Sequence, residues 1–283
     1  VREVETGEIA FKGVRSPLIQ AGPAGDSEAV VFVHGNPGSR LDWQDLVGRV
    51  GEFGRAVAFD MPGFGQADKP AGFDYTIEGY ATFVAGALDQ LGVERVHLVL
   101  HDFSGAFGMC WAAEHPDALQ SAVLFNTGTW AHGRWHRMAR LWRRPLVGEL
   151  VMAAVNRPGW RRAMNAGPRP LPLAFVDRMY DDFDRGTRRA VLKLYRATPL
   201  PYPAASRWVA RLAELDRPAL IIWGADDPFL GTRRVENLKE PFPSAEVTML
   251  HGSGHFPYAD NPEGAAEAAV PFLRSRMGAG TPA

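Results

Sequence analysis

Three short stretches of this 283-residue chain hold side chains from which a displacement reaction can be assembled. In LVLHDFSGAFG, residues 98–108, an apolar run ends at Asp102 and Ser104 and passes at once into small residues. That is how a strand delivers a nucleophile into a sharp turn that opens a helix. A hydroxyl in that position favours acyl transfer to water, whereas a carboxylate favours attack on an alkyl carbon. WGADDPF then supplies Asp226 and Asp227, and HGSGHFPY supplies His251 and His255. A carboxylate behind an imidazole fixes its tautomer and stabilises its charged form, so the second and third stretches could arm the first.

The turn itself discriminates between the two nucleophiles. It is tight, so it needs small residues two before and two or three after the reacting one. With Asp102 those positions are Leu100, Ser104 and Gly105, of which one is large; with Ser104 they are Asp102, Ala106 and Phe107. Asp102 also directly follows the apolar run, while Ser104 would lie inside the helix. Asp102 is the preferred nucleophile, and Ser104 remains the alternative. If Ser104 reacts, Asp102 becomes a helix N-cap.

The elements that must position these groups alternate along the chain. EIAFKGV and SPLIQAG read as an opening antiparallel pair, and AVVFVHG and AVAFDMPG as buried strands ending in glycine-rich loops. TIEGYATFVAGALDQLG has helical apolar spacing and a glycine stop; VERVHLVLH is the next strand, Asp102 to His115 a helix, and SAVLFNTG a strand. Strand grammar resumes in PALIIWGADDPF and AEVTMLHGSGHF, and an amphipathic helix closes the chain. Between them, residues 127–205 carry tryptophans among arginines, repeated prolines and little strand character. The expected plan is an α/β fold, a mostly parallel sheet flanked by helices, formed by residues 1–126 and 206–283. A helical cap, 127–205, is inserted in it. The tail MGAGTPA is expected to be disordered.

Bulk properties narrow the class further. Net charge is -1 overall, which suggests no nucleic-acid partner, but the 127–205 segment alone carries +10. That excess is either a solvated arginine face or a lobe that draws in an anion. The single cysteine, Cys110, rules out a disulfide within the chain and suits a reducing cytoplasm. VREVETGEIA is too polar for a signal peptide, and no apolar run approaches the ~18 residues of a membrane span. A cytoplasmic location is therefore expected. The histidines, His34 included, lack the spacing of a metal site, and PGFGQADKP lacks the lysine-serine ending of a phosphate loop. No metal and no cofactor are expected.

Taken together, these motifs resemble the α/β-hydrolase superfamily over nearly the whole chain. The order nucleophile, acid, histidine is that of the superfamily. HGNPGS is similar to its oxyanion loop, and FDMPGFGQADKP to its D-x-x-G-x-G-x-S-x-x-P loop, with Ala67 where serine is commoner. HDFSG resembles the HDWG elbow of haloalkane dehalogenases and epoxide hydrolases, which implies Asp102 as nucleophile. The resemblance further implies His255 as the base, His251 being structural, and the backbone amides of Asn36 and Phe103 as oxyanion donors. Asp227 is implied as the orienting acid in preference to Asp226. Some dehalogenases place this acid after the preceding strand, where Asn126 stands here and supplies no charge.

The leaving group is the open point. Dehalogenases hold the halide with a tryptophan directly after the nucleophile and a loop asparagine or lid tryptophan. Asn36 fits the asparagine role, but Phe103 has no N–H. Trp130 or Trp135 would have to compensate. An epoxide needs an acid on its developing alkoxide, and LKLYRATP resembles the lid tyrosine-arginine pattern of epoxide hydrolases, nominating Tyr195 with Tyr180 as a partner. The sequence therefore favours opening of a small, largely apolar epoxide, with an anionic one as the variant that the basic segment admits. A haloalkane or a strained lactone is the alternative for the same nucleophile. A Ser104-dependent esterase and a non-catalytic ligand receptor are the alternatives from other classes.

Overall fold

The computed structural model describes residues 1–278, so most of the tail expected to lack order, residues 279–283, lies outside the described residues. Eight strands form one sheet: β1 (Glu5–Phe11), β2 (Val14–Ala21), β3 (Glu28–Val33), β4 (Arg55–Phe59), β5 (Arg95–Asp102), β6 (Leu119–Thr127), β7 (Ala219–Gly224) and β8 (Glu246–Leu250). Their spatial order is β1-β2-β4-β3-β5-β6-β7-β8. The first two strands are antiparallel to their neighbours, as the opening pair predicts, and β3 to β8 run parallel. Parallel strands covered on both faces read as unbroken apolar runs, and β4 and β7 are buried at every residue.

The covering helices are α1 (Gln44–Val50), α2 (Ile77–Leu91) and α3 (Ser104–Glu114). Helix α2 starts where the Thr76 hydroxyl accepts the Gly79 amide and ends where Gly92 turns left-handed, at φ 64°. Six helices then lie between β6 and β7: α4 (Arg137–Trp142), α5 (Val147–Ala153), α6 (Arg157–Met164), α7 (Leu173–Asp182), α8 (Arg185–Ala197) and α9 (Ala205–Leu215). The last of them packs on α3. After β7 come α10 (Arg233–Leu238), α11 (Pro257–Asp260) and α12 (Pro262–Arg276).

Much of the arginine excess has a structural use. Arg157 and Arg161 pair with Asp177, Arg196 pairs with Glu149, and Arg143 donates to the carbonyls of Tyr195 and Thr198. Other polar contacts tie α7 and α8 to the sheet side. Arg178 reaches Asp42 at 2.6 Å, Asp184 pairs with Lys69 at 2.9 Å, and Arg189 and Lys193 donate to the carbonyls of Lys69 and Ala71. Burial pushes the Asp42 carboxyl up to about 6 even though Arg178 opposes the shift.

The glycine-rich loop after β4 is built around a buried charge. Asp60 is fully buried and accepts from the Arg40 amide (2.6 Å), the Arg40 guanidinium (2.6 Å) and the Gln66 amide (2.7 Å). Gly65 has φ 49°, and a Cβ there would lie 2.4 Å from Asp60 Oδ2, so only glycine fits. Removing one partner of a buried pair leaves the other uncompensated, so Asp60→Ala is expected to destabilise the fold by about 3–5 kcal/mol. Urea denaturation measures it. A loss below about 1 kcal/mol would mean that the pair does not hold this loop.

Candidate active site

Strand β5 ends at Asp102, whose φ of 48° is left-handed, uncommon for a residue with a side chain. The helix expected from Asp102 starts instead at Ser104, because Asp102 is the turn itself. Thr127 Oγ1 donates to the Asp102 carbonyl and clamps the turn to β6. Two glycines make the tightness possible. A Cβ on Gly105 would lie 2.0 Å from Thr127 Oγ1, and one on Gly35 would lie 2.6 Å from the Asp102 Cβ. The large Leu100 is accommodated by Gly108, whose Cβ position lies 2.4 Å from its Cδ1.

Ser104 points away from this opening. It is fully buried, accepts the His101 amide at 2.7 Å, and shares its proton between the carbonyls of Val33 (2.7 Å) and His101 (2.8 Å). Asp102, by contrast, faces its expected neighbours. Its Oδ1 accepts the Asn36 amide at 3.0 Å, and the Phe103 amide also donates to the carboxylate. The loop carrying Asn36 is pinned by neutral His34, whose Nδ1 donates to the Gly35 carbonyl while its Nε2 accepts the Met61 amide.

His255 is buried, with Nε2 3.7 Å from Asp102 Oδ2 and Nδ1 2.7 Å from Asp227 Oδ2. Asn126, at the other candidate acid position, donates to the same Asp227 oxygen at 2.7 Å. The second oxygen, Oδ1, accepts the amides of Phe229 and Leu230. Burial alone would raise the Asp227 carboxyl, but the His255 charge and these donors outweigh it and hold it low. Asp226 and His251 stay exposed, and Asp226 accepts the Gly252 amide as a turn residue does. A second imidazole fixes the first: His101 Nε2 donates to the His255 carbonyl at 2.8 Å, and its Nδ1 accepts the Tyr258 hydroxyl at 3.1 Å. Burial keeps His101 neutral, well below its usual range.

These groups open into a cavity of about 430 Å³ between the sheet edge and helices α4–α8. Tyr195, on α8, is buried with its ring 5.1 Å from Phe103, and its phenol faces the Asn36 side chain. Burial and the nearby Asp102 charge raise its pKa well above the ordinary tyrosine value, so it stays protonated. Tyr180 is not part of this chamber. Its ring lies against Trp160 and under the Arg157 guanidinium, so of the expected tyrosine pair only Tyr195 lines the chamber. Trp130 and Trp135 flank Phe103, but the Trp135 indole N–H is committed to the Thr198 carbonyl at 2.9 Å.

Four cavity residues escape sequence reasoning. Trp142 and Trp160 line it with buried, unpartnered indole N–H groups. His136 accepts the Ala139 amide at Nδ1, so Nε2 carries its proton, and burial lowers its pKa. Arg234 comes from GTRRVENLKE, which reads as an ordinary solvated helix. The only signals were that the two tryptophans and the histidine lie in the segment between the motifs, and that Arg234 follows Asp227 by one short loop.

The electrostatics separate the two half-reactions this geometry allows. Burial raises the Asp102 carboxyl above 3.8 despite His255 and the two amides. For His255 burial favours the neutral ring, but Asp227 and Asp102 outweigh it and its pKa rises above 6.5. A nucleophilic Asp102 needs only its proton removed, whereas a base at His255 must be neutral. Alkylation should therefore switch on at lower pH than hydrolysis of the resulting ester. Rapid-quench mass spectrometry should find more covalent enzyme between the two pKa values than at pH 8.5. An ester level independent of pH would refute this division.

The pattern of a mostly parallel sheet, a strand-to-helix turn and a histidine loop matches known proteins. Residues 28–262 match the family described as alpha/beta hydrolase fold, and the chain belongs to that family. It is an enzyme, a hydrolase. A cis-3-alkyl-4-alkyloxetan-2-one decarboxylase of Xanthomonas campestris is 27% identical over 93% of this chain and 92% of its own length. Haloalkane dehalogenase 2 of Mycobacterium tuberculosis is 28% identical over 87% and 88%. Among solved structures, a haloalkane dehalogenase from Bradyrhizobium elkani superposes with a TM-score of 0.83 at 23% identity, covering 96% of this chain and 98% of that one. The epoxide hydrolase CorEH gives 0.80 at 19%, covering 96% and 99%. At these identities the two structures speak to the fold alone. No helix among the described residues is long and apolar enough to cross a membrane.

Proposed function

We propose that this hydrolase opens epoxides through an alkyl ester on Asp102. The observation that carries the reading is the buried, protonated Tyr195 beside the Asn36 side chain and within reach of the Asp102 charge, next to a Phe103 that has no side-chain donor. An Asp102 oxygen attacks a ring carbon, the C–O bond breaks, and the alkoxide takes the Tyr195 proton. His255, oriented by Asp227, then removes a proton from water, and hydroxide adds to the Asp102 carbonyl. The amides of Asn36 and Phe103 hold the oxyanion. Collapse releases the second alkoxide, which takes the proton from His255, and the Asp102 carboxyl returns its remaining proton to the phenolate.

Intact mass spectrometry of His255→Gln tests this, because the ester should persist once its base is gone. The expected result is a gain equal to the whole epoxide, located on Asp102, and no adduct from a haloalkane panel. An adduct from haloalkanes alone, or acylation of Ser104, would overturn the reading. The nearly full-length likeness to the oxetanone decarboxylase favours one second reading, a four-membered lactone. There Asp102 displaces a carboxylate, which needs no acid, and the ester loses carbon dioxide as the alkene departs from Asp102. Tyr195→Phe separates the two: it should cost about 10²–10⁴ in epoxide turnover and spare the lactone.

A further inference from the structure

We propose that Arg234 receives a carboxylate on the substrate, so that the enzyme acts on apolar chains bearing an anionic group near the reactive ring. This rests on the epoxide reading for its chemistry, but not for its geometry. Arg234 lines the same chamber as Asp102, His255, Phe229 and Leu230. The ion-paired arginines Arg157, Arg161, Arg178 and Arg196 each have a carboxylate partner. Arg234 has none within 4.0 Å among the described residues, and its side chain makes no hydrogen bond to them. Nor is it sealed in, since the residue is only partly buried.

The backbone makes room for this side chain. A Cβ on Gly128 would lie 2.7 Å from Arg234 Nη1, and one on Gly133 would lie 3.8 Å from Nη2. Gly128, in the loop after β6, thus leaves room for the guanidinium beside Trp130, while the Gly133 position is at ordinary contact distance. The carboxylates whose charge it feels are Asp102 and Asp227, and the imidazoles facing it are His255 and His136. Asp227 is already occupied by His255, Asn126 and two amides. Asp102 is the one whose charge changes. When the ester forms, that charge leaves Asp102 for the Tyr195 phenolate, and Arg234 keeps its bound anion throughout.

Much of the remaining wall is apolar, with Met138, Val151, Met152, Val155, Met164 and Leu200 in it. Exposed Arg134 at the rim is a second guanidinium without a carboxylate partner among the described residues, and it serves as the control.

The test uses the Asp102→Asn enzyme, whose neutral amide stands in for the ester, with octanoate and 1-octanol as unreactive probes in calorimetry. Octanoate should bind about tenfold or more tighter than octanol, and Arg234→Gln should remove that preference by about 10- to 100-fold while octanol binding is kept. Arg134→Gln should change it little. If Arg234→Gln loses octanol as well, Arg234→Met repeats the comparison with an apolar stem in the same space. Equal affinity for the two probes, a preference that survives loss of Arg234, or one that Arg134→Gln abolishes overturns the proposal. None of these outcomes depends on an epoxide reacting, so a failed adduct experiment and a failed anion site remain distinguishable.

Discussion

Asp102→Asn is expected to lose about 10⁴-fold or more in turnover and to form no adduct with any substrate, while Ser104→Ala keeps its turnover within a few-fold. The two substitutions are two residues apart and their consequences should be opposite. Asp102 stands at a left-handed turn, exposed to the cavity, with two amides and His255 addressed to its carboxylate. An amide cannot supply the electron pair that forms the ester. Ser104 instead ties β5 to β3, through the Val33 carbonyl and the His101 amide. Its loss leaves those buried groups unpaired, so Ser104→Ala should cost about 1–3 kcal/mol of stability. Steady-state kinetics beside urea denaturation reads both. Turnover lost with Ser104 and retained with Asp102 would move the protein to the acyl-transfer class.

The Asp227→Asn enzyme should alkylate at close to the normal rate and then stall, with the hydrolytic step slowed by about 10³–10⁴-fold. The reason is the donor set around residue 227. One oxygen accepts His255 Nδ1 and Asn126, and the other accepts two backbone amides. All four contacts are donors, so an amide introduced there must turn its own N–H groups toward one pair. If they face His255, Nδ1 becomes the acceptor and Nε2 keeps its proton, which leaves no base toward Asp102. The His255 pKa also loses its strongest upward support. A single-turnover experiment should show a burst of one covalent equivalent followed by slow release. Normal steady-state turnover would remove Asp227 from the mechanism.

How much of this was legible depended on whether a residue's role is local. Asp102, with Ser104 and Gly105 behind it, is constrained within five residues of chain, so the turn could be inferred. Asn36 and His255 stand in loops that follow strands, and the strands were readable as apolar runs. The cap was different. Tyr195 and Tyr180 both sit on cap helices, and which of them faces the chamber depends on how α7 and α8 lie on the sheet, which no short-range pattern specifies. Arg234 was invisible for a related reason. A charged residue in a charged helix reads as solvated unless one knows that Gly128, more than a hundred residues earlier, clears the space its guanidinium fills. The helix boundary was misread at Asp102 because the same small residues suit a turn and a helix start.

The polar contacts that fasten the helices between β6 and β7 are unevenly distributed. Helices α7 and α8 are tied to the sheet side through Asp42, Lys69 and Ala71, one of those contacts on a carboxylate with no exposed surface. Helices α5 and α6 are held to α7 and α8 instead, through Glu149, Asp177 and the Met152 carbonyl, and α4 is held at its end by Arg143 on the Tyr195 carbonyl. One flank of the roof is thus tied to the sheet side, and it carries Tyr195, the proposed proton donor. Arrival of substrate and departure of product are expected on the other flank, and a turnover rate that falls as solvent viscosity rises would report a release step there.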